Sequence, residues 1–343
     1  MRYIVIIFTL LVTSFIKAQD LHFSQFYNTP LNVNPALTGF FDGQYRVHAI
    51  YRDQYKVIQA PYRTFSAAAD FRYHLSGNDY YNFGVRILRD KAGEGNFLRT
   101  TAHGSFSYIK QLAGGKTNHF LIGGLEFGMG QHRIDLSKLW FGEQFDPSII
   151  SENISLPSGE AGNFAESTNL YLDLGGGLSW FTSWAPRKSI VLGAAMIHIN
   201  RPNVSFNPND NVRIDPRLVF HLNAEYPLSK EVSIMPSALY QNQGLHNEFL
   251  IGTQFRYFQS DYNDTSLRLG MWARMTSSIN ESHLDAIILS AMFEYNRLQF
   301  GLSYDITVSN LSQANNSFGG FEFSLTYIVP GDKRRSSVVC PSL

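Results

Sequence analysis

Charged residues are scarce in this 343-residue chain, where Asp, Glu, Lys and Arg together make up 16%, against roughly 25% in a typical soluble domain. The 28 basic residues are balanced by 28 acidic ones, which argues against a nucleic-acid partner. A single cysteine excludes a disulfide scaffold and a metal site built from several cysteines. Beyond the N-terminus the chain has no long continuous apolar run, so no helical membrane span is predicted there.

Aromatic residues and glycine are abundant where charge is scarce. Phe, Tyr and Trp make up 14% of the chain, and 27 residues are glycine. The aromatic content and the zero formal net charge exclude a disordered chain. Lipid cannot satisfy open backbone hydrogen-bonding groups, so a chain that crosses a membrane without long apolar helices must close into a β-barrel. The composition therefore favours an outer-membrane barrel.

The N-terminus is typical of a secretory signal peptide. Met1 and Arg2 precede a mainly apolar run, Tyr3–Ile16, which is followed by Lys17 and Ala18. The basic start, the short apolar run and the small residue predict cleavage after Ala18. The run is shorter than the roughly 20 residues of a helical membrane span, which argues against an anchor. We therefore expect export and residence in the bacterial outer membrane.

Alternation of apolar and polar residues with a period of two predicts β-strands along most of the chain. From Leu298 to Val308 every second residue is apolar, and the residues between are polar or glycine. Fourteen such segments are predicted, at 43–52, 62–75, 80–90, 97–112, 117–132, 168–184, 187–200, 213–227, 231–241, 245–258, 265–276, 283–296, 298–309 and 317–329. Most have about the 9–11 residues of a tilted transmembrane strand, or somewhat more. An even number of strands is typical of bacterial barrels.

The connections between these strands alternate in length. After even-numbered strands they are mostly tight turns, such as 185–186 and 227–230. After odd-numbered strands they are mostly longer, such as 53–61 and 133–167. Short periplasmic turns and long outer loops are typical of outer-membrane barrels. The sequence thus predicts an all-β transmembrane antiparallel barrel over residues 43–329, with the N- and C-termini on the periplasmic side.

Two segments lie outside the strand pattern. Residues 19–42 contain Pro30 and Pro35, which central strands do not tolerate, so we expect this segment in the lumen or at the periplasmic face. Residues 330–343 form a polar tail, which we expect on the periplasmic side.

The predicted lumen face is charged, with both signs present. It carries Arg72, Arg86, Glu126, Asp173, Arg256, Arg268, Arg274, Asp305 and Glu322. Arginine and carboxylate side chains that pair across the interior favour a plugged or narrow lumen. No clear apolar stripe is evident on this face. Glycines at 123–124 and 175–177 lie within predicted strands, where they permit close packing or bends.

Catalytic and metal-binding motifs are weak or absent. The sequence has no G-x-S-x-G, P-loop or H-E-x-x-H motif. His103 and Ser105 suggest a Ser/His hydrolase only faintly, because both are expected on the polar lumen face of a strand. The acidic cluster at 261–264 lacks the ligand spacing of a calcium loop. We therefore predict a protein that is not an enzyme, with no cofactor and no metal.

Both ends of the chain carry distinctive runs. They are Gln-Asp-Leu-His-Phe-Ser-Gln-Phe-Tyr at 19–27, Asn-Pro-Ala-Leu-Thr-Gly at 34–39, Tyr-Arg-Asp-Gln-Tyr at 51–55, Phe-Glu-Phe-Ser-Leu-Thr-Tyr at 321–327, and Cys340-Pro341. These runs closely resemble the PorP/SprF family of type IX secretion system outer-membrane proteins of the Bacteroidota. The resemblance spans the mature chain from end to end, and in the middle it consists of the strand rhythm alone.

The resemblance implies protein export rather than metabolite uptake. It implies a non-enzymatic barrel in outer-membrane lipid that supports secretion or surface anchoring of a cargo protein such as a large adhesin. The implied partners are the C-terminal domain of the secreted cargo and either type IX periplasmic components or a peptidoglycan-binding lipoprotein. The residues expected to contact a partner are Phe23, Ser24, Gln25, Asn34, Pro35, Cys340 and Pro341.

Two alternatives stay open. The N-terminal segment can plug the barrel instead of contacting a partner. The chain can also be an outer-membrane transporter of hydrophobic small molecules, which requires an apolar pocket in the lumen.

Overall fold

The computed structural model describes residues 20–55, 62–139, 141, 144, 165–207, 209–260, 265–278, 281–310 and 312–329. The predicted signal peptide at 1–18, most of the loop 133–167 and the acidic cluster at 261–264 lie outside the described residues. The tail at 330–343, which includes Cys340 and Pro341, also lies outside them.

Fourteen strands close into one antiparallel β-barrel among the described residues. They are β1 (Tyr45–Gln54), β2 (Tyr62–Ser76), β3 (Asp79–Ala92), β4 (Phe97–Ala113), β5 (Asn118–Arg133), β6 (Tyr171–Ala185), β7 (Lys188–Ile197), β8 (Arg217–Pro227), β9 (Val232–Gln243), β10 (His246–Ser260), β11 (Thr265–Ser278), β12 (Glu281–Tyr295), β13 (Leu298–Thr307) and β14 (Phe318–Val329). Each strand pairs with its neighbours in the chain, and β1 closes the barrel against β14. The predicted antiparallel barrel of fourteen strands is confirmed, and every strand boundary lies within four residues of its prediction.

Side chains alternate between the two faces of the wall. On β14, Phe321 and Phe323 are 44% and 40% exposed, whereas Glu322, Ser324 and Thr326 between and beyond them are buried. The apolar face therefore points outward and the polar face points into the barrel, which is the reverse of a soluble sandwich. An apolar outer face suits a lipid environment. The closed ladder also leaves no edge strand with unpaired backbone groups, which lipid could not satisfy.

Helical structure is limited to short pieces. The α-helices are α1 (Pro30–Val33) and α2 (Ser312–Asn315), and 3₁₀ turns lie at Phe26–Asn28, Pro35–Leu37 and Leu136–Lys138. In the described part of the chain, none of these helices is long and apolar enough to cross a membrane.

The two ends of the barrel differ in their connections. At one end β1 begins and β14 ends, and two-residue turns join β2 to β3, β6 to β7 and β12 to β13. We call it the short-turn end. The opposite end carries the longer connections β5–β6 and β7–β8, although β9 and β10 are joined there by a tight turn. We call it the long-loop end.

The N-terminal segment lies inside the barrel. Residues 20–44, which we call the N-terminal plug, run from the long-loop end to the short-turn end, where β1 begins. Leu31, Ala36, Leu37 and Phe40 in this segment are all at most 3% exposed. The interior of the barrel is therefore a packed core with the plug at its centre.

Candidate functional site

The candidate functional site is the lumen, where the N-terminal plug meets the charged inner face of the wall. The nine charged residues predicted to face the lumen all point inward, and seven of them are buried. Ion pairs join this face across the strands, as in Arg86–Glu126 at 3.2 Å and Arg274–Asp305 at 2.7 Å. The expected pairing of arginines with carboxylates across the interior is thus present.

At the long-loop end, the plug is held by the carboxylate of Asp20. Its Oδ1 accepts a hydrogen bond from Arg99 Nη1 at 2.5 Å, and its Oδ2 lies 2.6 Å from His198 Nε2. The other ring nitrogen of His198 lies 2.7 Å from Asp173 Oδ1. Arg217 Nε approaches Asp20 at 3.6 Å. A single plug carboxylate thus joins the start of β4, the end of β7 and the start of β8.

The charges around Asp20 set its protonation state. Burial alone would raise the pKa of the Asp20 carboxyl, but Arg99, His198 and Arg217 hold this pKa well below its ordinary value. Burial disfavours the charged form of His198, yet Asp20 and Asp173 raise the pKa of the imidazole above its ordinary value. The aspartate is therefore ionised at neutral pH, and it favours a charged partner in the imidazole.

Further into the lumen, the plug backbone is bound by Glu322 of β14. The N–H groups of Ser24 and Gln25 donate to the two carboxylate oxygens of Glu322, at 2.7 and 2.8 Å. Arg52 of β1 also donates to this carboxylate. All three residues are at most 2% exposed, and so is Glu322. One buried carboxylate thus satisfies two plug N–H groups and one guanidinium.

The Ser24 hydroxyl joins the same network. It donates to Asp305 Oδ2 at 2.7 Å and accepts from Arg52 Nη1 at 2.7 Å and Arg274 Nη2 at 2.5 Å. Two arginines and two carboxylates, those of Asp305 and Glu322, balance each other here. Displacing Ser24 would leave these buried charged groups without one of their hydrogen-bond partners, which is costly.

Asn34 fixes the middle of the plug to β6 and β7. Its Nδ2 lies 3.1 Å from Ser179 Oγ of β6 and 3.3 Å from the Ala194 carbonyl oxygen of β7, and its Oδ1 caps the next turn by accepting from Ala36 N at 2.9 Å. The wall carries glycine where the plug comes closest. A Cβ on Gly124 would lie 2.4 Å from Ala36 N, so the expected close packing at this glycine is present.

We expect Gly124→Ala to displace the plug and to destabilise the barrel by about 1–3 kcal/mol, as overpacking does. The measurement is the free energy of unfolding in detergent, together with protease cleavage of the plug. Gly123→Ala is the matched control, because a Cβ on this neighbouring outward residue meets only Leu178 Cδ2 at 3.6 Å. Equal stability and equal cleavage of the two variants would contradict the close contact.

Apolar contacts complete the packing of the plug. Tyr27 stacks on Trp272 of β11, with ring centroids 5.0 Å apart and an interplanar angle of 17°. Phe40 packs edge-on against Phe181 of β6 at 5.1 Å. The inner wall also contributes Val219, Leu239, Leu250, Ile288 and Met292, all buried. The interpretation that the lumen face lacks an apolar stripe was therefore wrong.

The plug leaves little free volume beside it. A cavity of about 40 Å³ lies between the plug and the wall near Asp20, Arg99 and Arg217. A second, of about 20 Å³, lies beside Tyr27. Spaces of this size hold a few water molecules. Among the described residues, no group of three or more His, Cys, Asp or Glu side chains is arranged to hold a metal ion.

The structure places the sequence-predicted contact residues inside the lumen. Phe23, Ser24, Gln25 and Asn34 are at most 5% exposed, and Pro35 is buried as well. Cys340 and Pro341 lie outside the described residues. His103 and Ser105 also face the lumen, as expected, and each has a partner there. His103 contacts Asp173 at 3.0 Å, and Ser105 accepts from the Thr38 hydroxyl at 2.8 Å.

Sequence reasoning missed the apolar stripe because it read each strand as one apolar and one polar face. The signal was present in β12, where residues 286–289 read Ala-Ile-Ile-Leu and are apolar on both faces. A strand that is apolar on both faces is buried on both. This pattern indicates an apolar layer inside the barrel as well as lipid outside.

Solved structures with a similar architecture are outer-membrane barrels. The Ralstonia pickettii toluene transporter TbuX matches with a TM-score of 0.47 and 11% identity, covering 88% of this chain and 92% of that chain. A Pseudomonas aeruginosa FadL homologue matches with a TM-score of 0.48 and 13% identity, over 86% and 92%. CdiB from Acinetobacter baumannii has a TM-score of 0.44 and 7% identity, over 83% and 60%. Similarity this low supports no inference about function.

Sequence comparison is more specific. No curated protein matches the chain. The family described as "Type IX secretion system membrane protein PorP/SprF" matches residues 15–327, which include the N-terminal plug and nearly the whole barrel. The closed barrel with its apolar outer wall is a protein of the bacterial outer membrane. The chain belongs to the PorP/SprF family of type IX secretion system membrane proteins.

Proposed function

We propose that this protein is a closed, non-enzymatic outer-membrane component of the type IX secretion system that supports secretion or surface anchoring of a cargo protein such as a large adhesin. The observation that carries the proposal is the N-terminal plug, which fills the lumen of a barrel of this family. A lumen packed in this way offers no path to a cargo polypeptide. The barrel therefore acts through its surfaces and ends, by binding partners.

The short-turn end is the periplasmic one in this proposal. Short turns typically face the periplasm and longer loops the outside. β14 ends at the short-turn end, and the tail with Cys340 and Pro341 follows β14 in the sequence. It is then available to type IX periplasmic components, to a peptidoglycan-binding lipoprotein or to the C-terminal domain of cargo.

In this proposal the plug residues close the barrel and do not contact a partner. Phe23, Ser24, Gln25, Asn34 and Pro35 pack against the wall, so a partner reaches them only when the plug leaves the lumen. The contacts of Ser24, Gln25 and Asn34 with Glu322, Asp305 and Ser179 support the plugging role. Contact with a partner is accordingly assigned to the tail.

The test is purification of the tagged protein from its native outer membrane in mild detergent, with mass spectrometry of what accompanies it. We expect a large secreted protein or type IX periplasmic components, and we expect them to be lost when residues 332–343 are deleted. An unrelated outer-membrane barrel with the same tag is the control. A barrel that is repeatedly isolated without any partner would contradict the proposal.

The transporter alternative is less well supported by the same geometry. It requires an apolar pocket in the lumen. The apolar stripe of the wall is covered by Phe26 and Tyr27 of the plug, and the cavity beside Tyr27 is about 20 Å³. A hydrophobic solute has no room there while the plug is in place.

A further inference from the structure

Three exposed cations, and a fourth in a weak ion pair, lie on one side of the outer wall at the long-loop end. Arg63 on β2, Arg89 and Lys91 on β3, and Arg133 on β5 all point outward and are exposed. Each belongs to a strand whose other outward residues are mostly apolar, such as Phe65, which is 43% exposed. We call these four residues the basic row.

The strand register brings the basic row together. Arg63 pairs directly with Lys91, Lys91 pairs with Leu98 on β4, and Leu98 pairs with Arg133. Neighbouring strands lie about 4.8 Å apart, so this row spans roughly 15 Å of the wall. Arg89 lies two residues further from the rim, on the same face of β3. Four positive charges thus occupy an area comparable to one large headgroup.

Neutral polar side chains lie beside Arg89, two residues further from the rim than the other three cations. Arg89 pairs with Thr100, and Thr100 pairs with Gln131, and both of these partners also point outward. Gln131 Nε2 donates to the Thr168 carbonyl oxygen at 3.1 Å, so the Thr100 hydroxyl is the neutral donor beside the cations. Such a surface can bind phosphate oxygens with both charge and hydrogen bonds.

Within the part of the chain that the structure describes, the basic row has few ion-pair partners. Among the described residues, Arg63 contacts Asp53 at a distance of 3.9 Å, and its side chain remains 54% exposed. No ion pair of Arg89, Lys91 or Arg133 occurs within the described ranges. Two exposed acidic side chains lie near the row. They are Glu94, in the turn that follows β3, and Glu166, which precedes the backbone bridge partner of Arg133.

The clustering is confined to one side of the barrel. At the long-loop ends of β6, β7 and β8 the outward residues include Leu172, Met196 and Leu218. On β9, β10 and β14 they include Asn242, Asn247 and Phe318. Within the described residues, the outward positions of these strands carry no arginine or lysine at this end. Isolated lysines and arginines that snorkel to the interface would be expected all round the barrel, so the one-sided row indicates a specific ligand.

We propose that the basic row binds the phosphate-bearing headgroup of a glycolipid in the outer leaflet. The basic row lies where the apolar outer wall ends, at the long-loop end of the barrel, and lipid headgroups contact a barrel at this boundary. Basic side chains near a membrane surface attract anionic headgroups by about 1 kcal/mol each. The acyl chains of such a lipid would lie along Phe65, Phe83 and Val85, which are continuous with the row below it. The assignment to the outer leaflet rests on the proposed orientation of the barrel.

The test measures lipid binding to the full-length mature protein in detergent by native mass spectrometry. The probes are lipid A with two phosphates, the same lipid A after chemical dephosphorylation, and phosphatidylglycerol. The test variant is Arg89→Gln/Lys91→Gln/Arg133→Gln. The matched control removes three exposed cations at the short-turn end, in Lys116→Gln/Lys230→Gln/Arg297→Gln. Thermal unfolding of each variant in detergent establishes that all of them are folded.

We expect lipid A to bind the parent and the control equally, and to bind the test variant at least about tenfold more weakly. Dephosphorylated lipid A should bind the parent as weakly as lipid A binds the test variant.

Equal binding of lipid A by the parent and the test variant overturns the proposal. The proposal is also overturned if the parent binds dephosphorylated lipid A as tightly as lipid A. Preference for phosphatidylglycerol at the same residues also overturns it, because the row would then belong to the inner leaflet. If the test variant keeps lipid A but loses an acidic protein on purification from native membranes, the row is a protein-binding surface instead. The partner experiment on the tail is independent of all these outcomes.

Discussion

Deletion of residues 20–41 is expected to turn a closed barrel into an open channel. The parent protein should show little conductance in a planar bilayer, because the plug packs against the wall, and the two cavities found beside it among the described residues are about 40 and 20 Å³. Eight strands already enclose an interior that side chains can just fill, whereas fourteen enclose a wider one. We expect the single-channel conductance of the deletion variant to exceed that of the parent at least about tenfold.

Adding the plug back provides the control for this experiment. A synthetic peptide of residues 19–44 should reduce the conductance of the deletion variant, and a scrambled peptide of the same composition should not. Specific reduction is expected because the wall keeps Glu322 and Asp305 to bind the peptide backbone and the Ser24 hydroxyl. A large and steady conductance of the parent would refute the closed lumen. If the deletion variant does not assemble, Gly124→Ala against Gly123→Ala tests the same point in a complete chain.

An open deletion variant would also clarify how the family barrel differs from a solute transporter. In the parent, the wall residues Leu239, Leu250 and Trp272 are covered by Phe26 and Tyr27. Removing the plug would expose this apolar stripe to the lumen. Hydrophobic solutes that bind only the deletion variant would then be ligands of an artificial cavity. Binding of the same solutes by the parent is what the transporter alternative requires.

The barrel itself could be predicted from the sequence because its signal is local and repeated. Phe321, Phe323 and Leu325 alternate with polar residues at the spacing of a strand, and lipid outside and packed polar groups inside enforce that alternation everywhere. Nine charged residues were assigned to the correct face for the same reason. The observed strand boundaries differ slightly from the predicted ones, since boundaries depend on individual turns rather than on the repeated pattern.

The position of the plug could not be predicted in this way. Residues 20–44 have no strand or helix periodicity, and their turns are fixed by contacts with distant parts of the chain. Ser24 and Glu322 are 298 residues apart, and Asn34 and Ser179 are 145 apart. The sequence contained partial signals in Pro30 and Pro35, which argued against a strand, and in Gly124, where a strand offered space. These signals do not specify which segment occupies that space.

Replacement of Glu322 is expected to have the largest effect on stability of any single change at this site. Glu322→Gln should lower the free energy of unfolding by about 3–5 kcal/mol, the cost of removing one partner from a buried ion pair. The buried Arg52 guanidinium would then have Asp305 as its remaining carboxylate partner. The amide nitrogen of the new side chain would also face the N–H of Ser24 or Gln25, so that two donors would meet. Unfolding by guanidinium in detergent measures this difference. Glu231→Gln, in an exposed turn, is the control and should change stability by less than about 0.5 kcal/mol.

A second substitution separates the two roles of this carboxylate. Arg52→Gln in the Glu322→Gln background removes the positive charge that Glu322 no longer balances, so the double variant should lose less stability than the sum of the single variants. The loss that remains then reflects the plug N–H groups of Ser24 and Gln25, which no longer have a charged acceptor. The rate of protease cleavage of the plug should correlate with this remaining loss of stability and not with the summed loss of the single variants. If the double variant is as stable as the parent and its plug is still cut faster, Glu322 holds the plug without stabilising the wall. If the effects of the two substitutions simply add, Arg52 and Glu322 do not act as a pair. The closed lumen then depends on other plug contacts, such as those of Asp20 with Arg99 and His198.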